Sequence, residues 1–89
     1  MSTPEAPGFT YPTEYPVKVF GLAAADFARH VVALVERATG TEAIDQPLIR
    51  ESSGGKYLAV TVTLVLTSEA QRLALYDALR ADPRVVHAL

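Results

Sequence analysis

The chain has no cysteine, no asparagine and no long apolar run. The first absence excludes disulfides, iron–sulfur clusters and thiolate zinc sites. The third excludes a membrane-spanning helix, which needs roughly 20 consecutive apolar residues. Positive charge is also scarce. Eight Lys and Arg against ten Asp and Glu give a formal net charge of −2 and a pI near 5.5, so little cation density is available to release counterions from a nucleic acid. Residues 1–14 lack the basic start and apolar stretch of a signal peptide. The 89 residues, 49% apolar and 20% charged, suffice for one core and not for two. The expectation is a single cytoplasmic domain with neither a nucleic-acid nor a membrane partner.

Met1–Gly8 mixes Pro, Gly and small polar residues without apolar periodicity, and reads as a mobile tail that buries too little surface to offset its ordering entropy. Phe9, Tyr11 and Tyr15 interleave with Pro12 and Thr13 and predict an extended arm over residues 9–15 lying on the domain. Val17-Lys18-Val19-Phe20 alternates and ends at Gly21, predicting a first strand with Pro16 at its beginning. Phe27, Val31, Leu34, Val35 and Ala38 form one stripe at helical spacing, so a helix is expected from about Ala24 to Thr39, stopped by Gly40. Asp26 falls in its first turn and Arg37 near its last, matching the helix dipole.

Ala43–Glu51 carries Ile44, Leu48 and Ile49 but also Pro47, and predicts an edge strand. Ser52-Ser53-Gly54-Gly55 supplies a hairpin turn. From Leu58 to Leu66 the alternation is unbroken, with Leu58, Val60, Val62, Leu64 and Leu66 on one side and Ala59, Thr61, Thr63 and Val65 on the other. Ser68-Glu69-Ala70-Gln71 is a capping box opening a second helix that buries Leu75, Tyr76 and Leu79 and ends near Asp82-Pro83. Val85–Leu89 makes a short last strand.

The order is βαββαβ, and right-handed crossovers put both helices on one side. The architecture that follows is a two-layer, ferredoxin-like α+β sandwich with antiparallel sheet order 4-1-3-2. It centres the long alternating strand and sends the Pro-bearing and shortest strands to the edges. Its other sheet face is uncovered, and by alternation carries Lys18, Phe20, Tyr57, Ala59, Thr61, Thr63 and Val65, with His87 from the last strand. Either the aromatic arm or a second subunit covers it, since bare sheet of this size is a large apolar patch.

Catalytic chemistry finds no footing. His30 and His87 lack a second ligand at metal-binding spacing. Ser52-Ser53-Gly54-Gly55-Lys56 departs from the phosphate-loop pattern and leads into a strand. No nucleophile has a base near it in sequence, and no carboxylate pair stands out. Among ferredoxin-like domains of defined chemistry, an RNA-recognition domain needs a basic rim that the charge balance does not supply. An acylphosphatase needs an Arg after the first strand, where Gly21–Ala25 has none, and an Asn. A metallochaperone needs a Cys pair.

Tyr11-Pro12-Thr13, Tyr15, Lys18-Val19, Gly21, Ser52-Ser53-Gly54, Tyr57, Val60–Leu64 and Leu75-Tyr76 with Leu79 together resemble the YbeD-like family of small bacterial proteins of unknown function, over roughly Phe9 to Leu89. The resemblance implies a ferredoxin-like fold similar to ACT regulatory domains. It brings no established activity, cofactor or catalytic residue, and implies a link to lipoate metabolism through the genomic neighbourhood of some members. The functional expectation is a non-enzymatic regulatory or ligand-sensing module, dimeric, holding a small metabolite near Gly21–Asp26, where glycine permits close approach and a helix start offers N–H groups. The alternative is a protein-interaction adaptor contacting its partner through Lys18, Phe20, Tyr57 and Thr61 on the open face, or through the edge strand.

Overall fold

The alternation of Leu58–Leu66 produces the longest seam of the sheet. In the computed structural model, which describes residues 10–89, strand β1 (Thr13–Leu22) pairs antiparallel with strand β3 (Tyr57–Leu66) along its whole length, from Thr13↔Leu66 to Leu22↔Tyr57. Strand β2 (Leu48–Glu51) adds to the free side of β3, and strand β4 (Val85–Ala88) to that of β1. The order β2-β3-β1-β4 is the expected one read from the opposite edge. Helices α1 (Phe27–Thr39) and α2 (Glu69–Ala81) pack on each other and on one side of this sheet, giving the α+β sandwich. The expected tail Met1–Gly8, and Phe9 of the arm, lie outside the described residues.

The core sits between the layers. Val17 and Val19 of β1, Val60, Val62, Leu64 and Leu66 of β3, Phe27, Val31 and Val35 of α1 and Leu75 of α2 are fully buried, each such side chain contributing about 1.5–3 kcal/mol relative to exposure. α1 ends as its sequence requires, with Gly40 at φ 74° donating its N–H to the Glu36 carbonyl. Ser68 caps α2 by accepting from Gln71 N–H at 3.2 Å. The return leg of a capping box is replaced: Gln71 Oε1 accepts from Thr67 N–H (2.6 Å), while Nε2 donates to the Thr39 carbonyl (2.9 Å) at the end of α1.

Four expectations are corrected. β1 begins at Thr13, not Val17, so Pro16 lies inside it. Lys18 exchanges both backbone hydrogen bonds with Leu89, so Pro16, two residues earlier, turns its nitrogen to the same side, beyond the end of β4. No ladder bond is lost there. Of the two covers considered for the open face, the described part of the arm is not one: Tyr15 shares the helix side with Val17, and the Tyr11 and Tyr15 hydroxyls reach Glu69 and Tyr76 of α2. α1 starts at Phe27, because Ala24–Asp26 form a turn first. β2 is interrupted. Ala43 bridges Leu64 and Ile44 N–H bonds Thr63, but by Leu48↔Thr61 the register has slipped two residues, accommodated around Pro47.

Candidate functional site

Alternation dictates what the uncovered side of the sheet presents, and the register arranges it in rows. One row runs Arg50, Ala59, Phe20, His87 across all four strands. The next runs Leu48, Thr61, Lys18, closed by Leu89 through its hydrogen bonds to Lys18. Between Phe20↔His87 and Gly21↔Val85 the β1–β4 register shifts, leaving Val86 as the extra residue of a bulge. The bulge exposes Val86 on the rim. Phe20, Tyr57, Val86, His87 and Ser52 line an apolar cleft of about 300 Å³, in which the Phe20 and His87 rings lie 6.0 Å apart.

Cations border these rings. Lys18 Nζ stands 6.0 Å from the Phe20 ring centre and Lys56 Nζ 5.5 Å from that of Tyr57, both within cation–π range. The hairpin that carries Lys56 is fixed by Gly54 and Gly55 at positive φ, with Tyr57 N–H donating to Ser52 Oγ at 3.0 Å.

The sequence-derived residues thus divide. Lys18, Phe20, Tyr57 and Thr61 gather on one face. Gly21 and Asp26 belong to the opposite side and are engaged by the protein itself. A Cβ on Gly21 would lie 2.3 Å from Phe27 Cζ and 2.5 Å from the Arg84 carbonyl oxygen, so the space over this glycine is filled. Asp26 accepts from both terminal nitrogens of the Arg84 guanidinium, Nη2 at 2.8 Å and Nη1 at 3.2 Å. Those bonds hold its carboxyl below the usual carboxylate range, and it caps no helix N–H. A larger cleft of about 420 Å³ opens beside this turn, lined by Ala23–Ala25, Ala28, Ile49, Glu51 and Leu58.

Sequence reasoning missed Arg50, Leu48 and Val86. The two-residue slip in β2 decides which of its side chains face the open side, and the β4 bulge turns Val86 outward; Pro47 signals that β2 breaks but not by how many residues, and the bulge has no local sequence signal. It also missed the pairing of His30 Nε2 with Asp82 Oδ2 at 2.8 Å across 52 positions. Asp82 Oδ1 further accepts the Arg84 N–H, so this carboxylate ties α1 to the turn after α2. Among the described residues no three His, Asp or Glu side chains assemble into a metal-binding group, and no helix is long and apolar enough to cross a membrane.

Residues 6–89 match the family model described as a protein of unknown function, DUF493. A UPF0250 protein of Ralstonia nicotianae is 43% identical over 75 residues, covering 84% of this chain and 77% of the relative. One from Paraburkholderia phytofirmans is 33% identical over 85 residues, covering 96% of each, and one from Pseudomonas aeruginosa 35% over 82 residues, covering 91% and 88%. With its βαββαβ sandwich, the chain is therefore a member of the DUF493 family of small bacterial proteins, the YbeD-like family whose motifs its sequence carries.

Proposed function

We propose that this protein is a non-catalytic regulatory module that acts by binding a partner protein through its open sheet face. The observation that carries this reading is the largely apolar cleft between Phe20, Tyr57, Val86 and His87, on the side of the sheet opposite α1 and α2. A regulatory task fits the likeness to ACT domains that the family resemblance implies.

The test is affinity purification from the native host followed by mass spectrometry, with Phe20→Asp and Tyr57→Asp run beside the unaltered chain. Both residues are part-exposed, and circular dichroism checks that each variant keeps its fold. The reading requires a partner whose capture disappears in both variants. Capture that survives them rejects this surface.

A second reading, ligand sensing, draws support from the cleft lined by Ala23–Ala25, Ala28 and Ile49 rather than from the filled space over Gly21. Small side chains there leave room for a metabolite beside the start of α1. Thermal-shift screening against amino acids and lipoate-related metabolites tests it, and a ligand of this cleft raises the melting temperature by mass action. Absence of stabilisation by the whole panel rejects it.

A further inference from the structure

Charge is distributed unevenly between the two sides of this molecule. The chain is net negative, yet Lys18, Lys56 and Arg50 surround the apolar cleft, the first two by distance to its rings and the third by sharing the cross-strand row of Ala59 and Phe20. Among the described residues none of these cations enters an ion pair; on the helical side Arg72, Arg80 and Arg84 bind Glu69, Asp77 and Asp26, while Arg29 and Arg37 of α1 are likewise outside any ion pair. Side-chain carboxylates stay away from the cleft. Glu14 shares its side of the sheet but sits six residues from Phe20, about 20 Å along an extended strand. Glu51 pairs with Leu58 and faces the helical side. The small Ala59 side chain, between Arg50 and Phe20, lets an incoming group sink toward the sheet beside a guanidinium.

We infer that the open face recognises an acidic segment of a partner protein that carries an apolar or aromatic anchor, the anchor entering the Phe20–Tyr57–His87 cleft and its flanking carboxylates meeting Lys18, Arg50 and Lys56. The inference rests on the docking role proposed above and adds the chemistry of the partner. Complementary charge around an apolar centre is the arrangement that selects a partner and speeds its capture. A second copy fits poorly, because face-to-face docking brings two sets of side-chain cations together around clefts that no side-chain carboxylate lines. A single-stranded nucleic acid would stack on the same rings, but three cations would release few counterions. Most of the remaining face, Leu48, Thr61, Thr63, Val65 and Leu89, offers methyl groups instead of further stacking surfaces.

The inference is tested by nitrogen-15 NMR titration of the full chain with three capped peptides: EDELFEDE, its QNQLFQNQ counterpart and its KRKLFKRK counterpart, with octauridylate as a fourth probe. The acidic peptide is expected to bind about tenfold or more tightly than the neutral one, with shifts concentrated at Phe20, Tyr57, Ala59 and His87 and weakened by salt. Lys18→Glu combined with Arg50→Glu, both at exposed sites, is expected to invert the order of the acidic and basic peptides while leaving the rest of the spectrum unchanged. Equal affinity for acidic and neutral peptides overturns the charge inference and leaves the docking face standing, as long as the shifts stay on it. Tighter binding of octauridylate overturns it in favour of nucleic acid, and a concentration-dependent dimer that protects these residues overturns it in favour of self-association. Failure to bind any peptide on this face also overturns it, whereas the docking role itself is judged separately by the capture experiment with Phe20→Asp and Tyr57→Asp.

Discussion

Phe27 occupies the space that a side chain on Gly21 would need. A Cβ there would meet Cζ and Cε1 of the ring at 2.3 and 2.5 Å and the Arg84 carbonyl oxygen at 2.5 Å. The first turn of α1, the end of β1 and the entry to β4 converge on this one glycine. Gly21→Ala is expected to lower stability by about 1–3 kcal/mol through overpacking, measured as the shift in a urea-denaturation midpoint. Adding Phe27→Leu recovers only part of the loss, because the backbone oxygen of Arg84 still blocks the methyl group.

Glu69 makes stability depend on acid pH. Its carboxylate accepts from Arg72 Nε at 3.0 Å and from the Tyr11 hydroxyl at 2.6 Å; the Arg72 bond above all, then that of Tyr11, hold its pKa down at about 2. In the unfolded chain the group titrates near 4.5. The unfolded state therefore takes up this proton first. The stabilisation is complete above about pH 4.5 and disappears as the pH falls toward 2. Glu69→Gln is expected to be less stable at neutral pH and to lose less further stability between pH 5 and about 2. Thermal melts across that range check it. A residual slope remains, because Asp26 is held low by Arg84 in the same way.

Gln71 joins the two helices with the two ends of one amide. Its oxygen serves the Thr67 N–H and hydroxyl, while its nitrogen donates to the Thr39 carbonyl, one of the carbonyls left unpaired at the end of α1. Gln71→Glu keeps an acceptor for Thr67 and removes the donor, placing a negative charge against the negative end of the α1 dipole. Gln71→Glu is expected to cost about 1–2 kcal/mol even though the variant retains a capping-box sequence. The same substitution would be close to neutral if the box alone mattered, so denaturation of this single variant separates the two roles.

Periodicity carried the architecture because every core strand and helix has one side to bury. The alternation of Leu58–Leu66 and the α1 stripe from Phe27 to Val35 therefore placed both layers and put Lys18, Phe20, Tyr57 and Thr61 together. What periodicity does not encode is where a ladder stops. Pro16 looked like the start of β1, but the neighbouring strand ends at the level of Lys18, so the missing N–H has no partner to lose. The Pro47 interruption and the Val86 bulge shift registers by two residues and one, which sets Arg50 and Val86 on the open side. Pairs such as Asp26–Arg84 and His30–Asp82, 58 and 52 positions apart, exist only because the fold brings β4 and the end of α2 to the start of α1. No local pattern announces them.

Tyr15 and Tyr76 make the alkaline counterpart of the Glu69 argument. Their rings meet edge to face, 6.4 Å between centres, and their hydroxyls are 3.1 Å apart. Burial first, and then the bond to Tyr15, push the Tyr76 phenol well above the ordinary tyrosine value of 10.0. The folded protein thus keeps a proton that the unfolded chain releases near pH 10. The stabilisation is full below that pH and is lost as the pH climbs through the folded-state value. Tyr76→Phe has no proton to release. It is expected to give up about 1 kcal/mol at neutral pH, for the missing hydroxyl bond, and then to show a shallower decline above pH 10. The decline does not vanish, because Tyr11 is also raised, by burial and then by its bond to Glu69. Urea denaturation of both proteins at pH 7 to 11 decides the matter: parallel curves would mean that Tyr76 ionises in the folded state as readily as in the unfolded one.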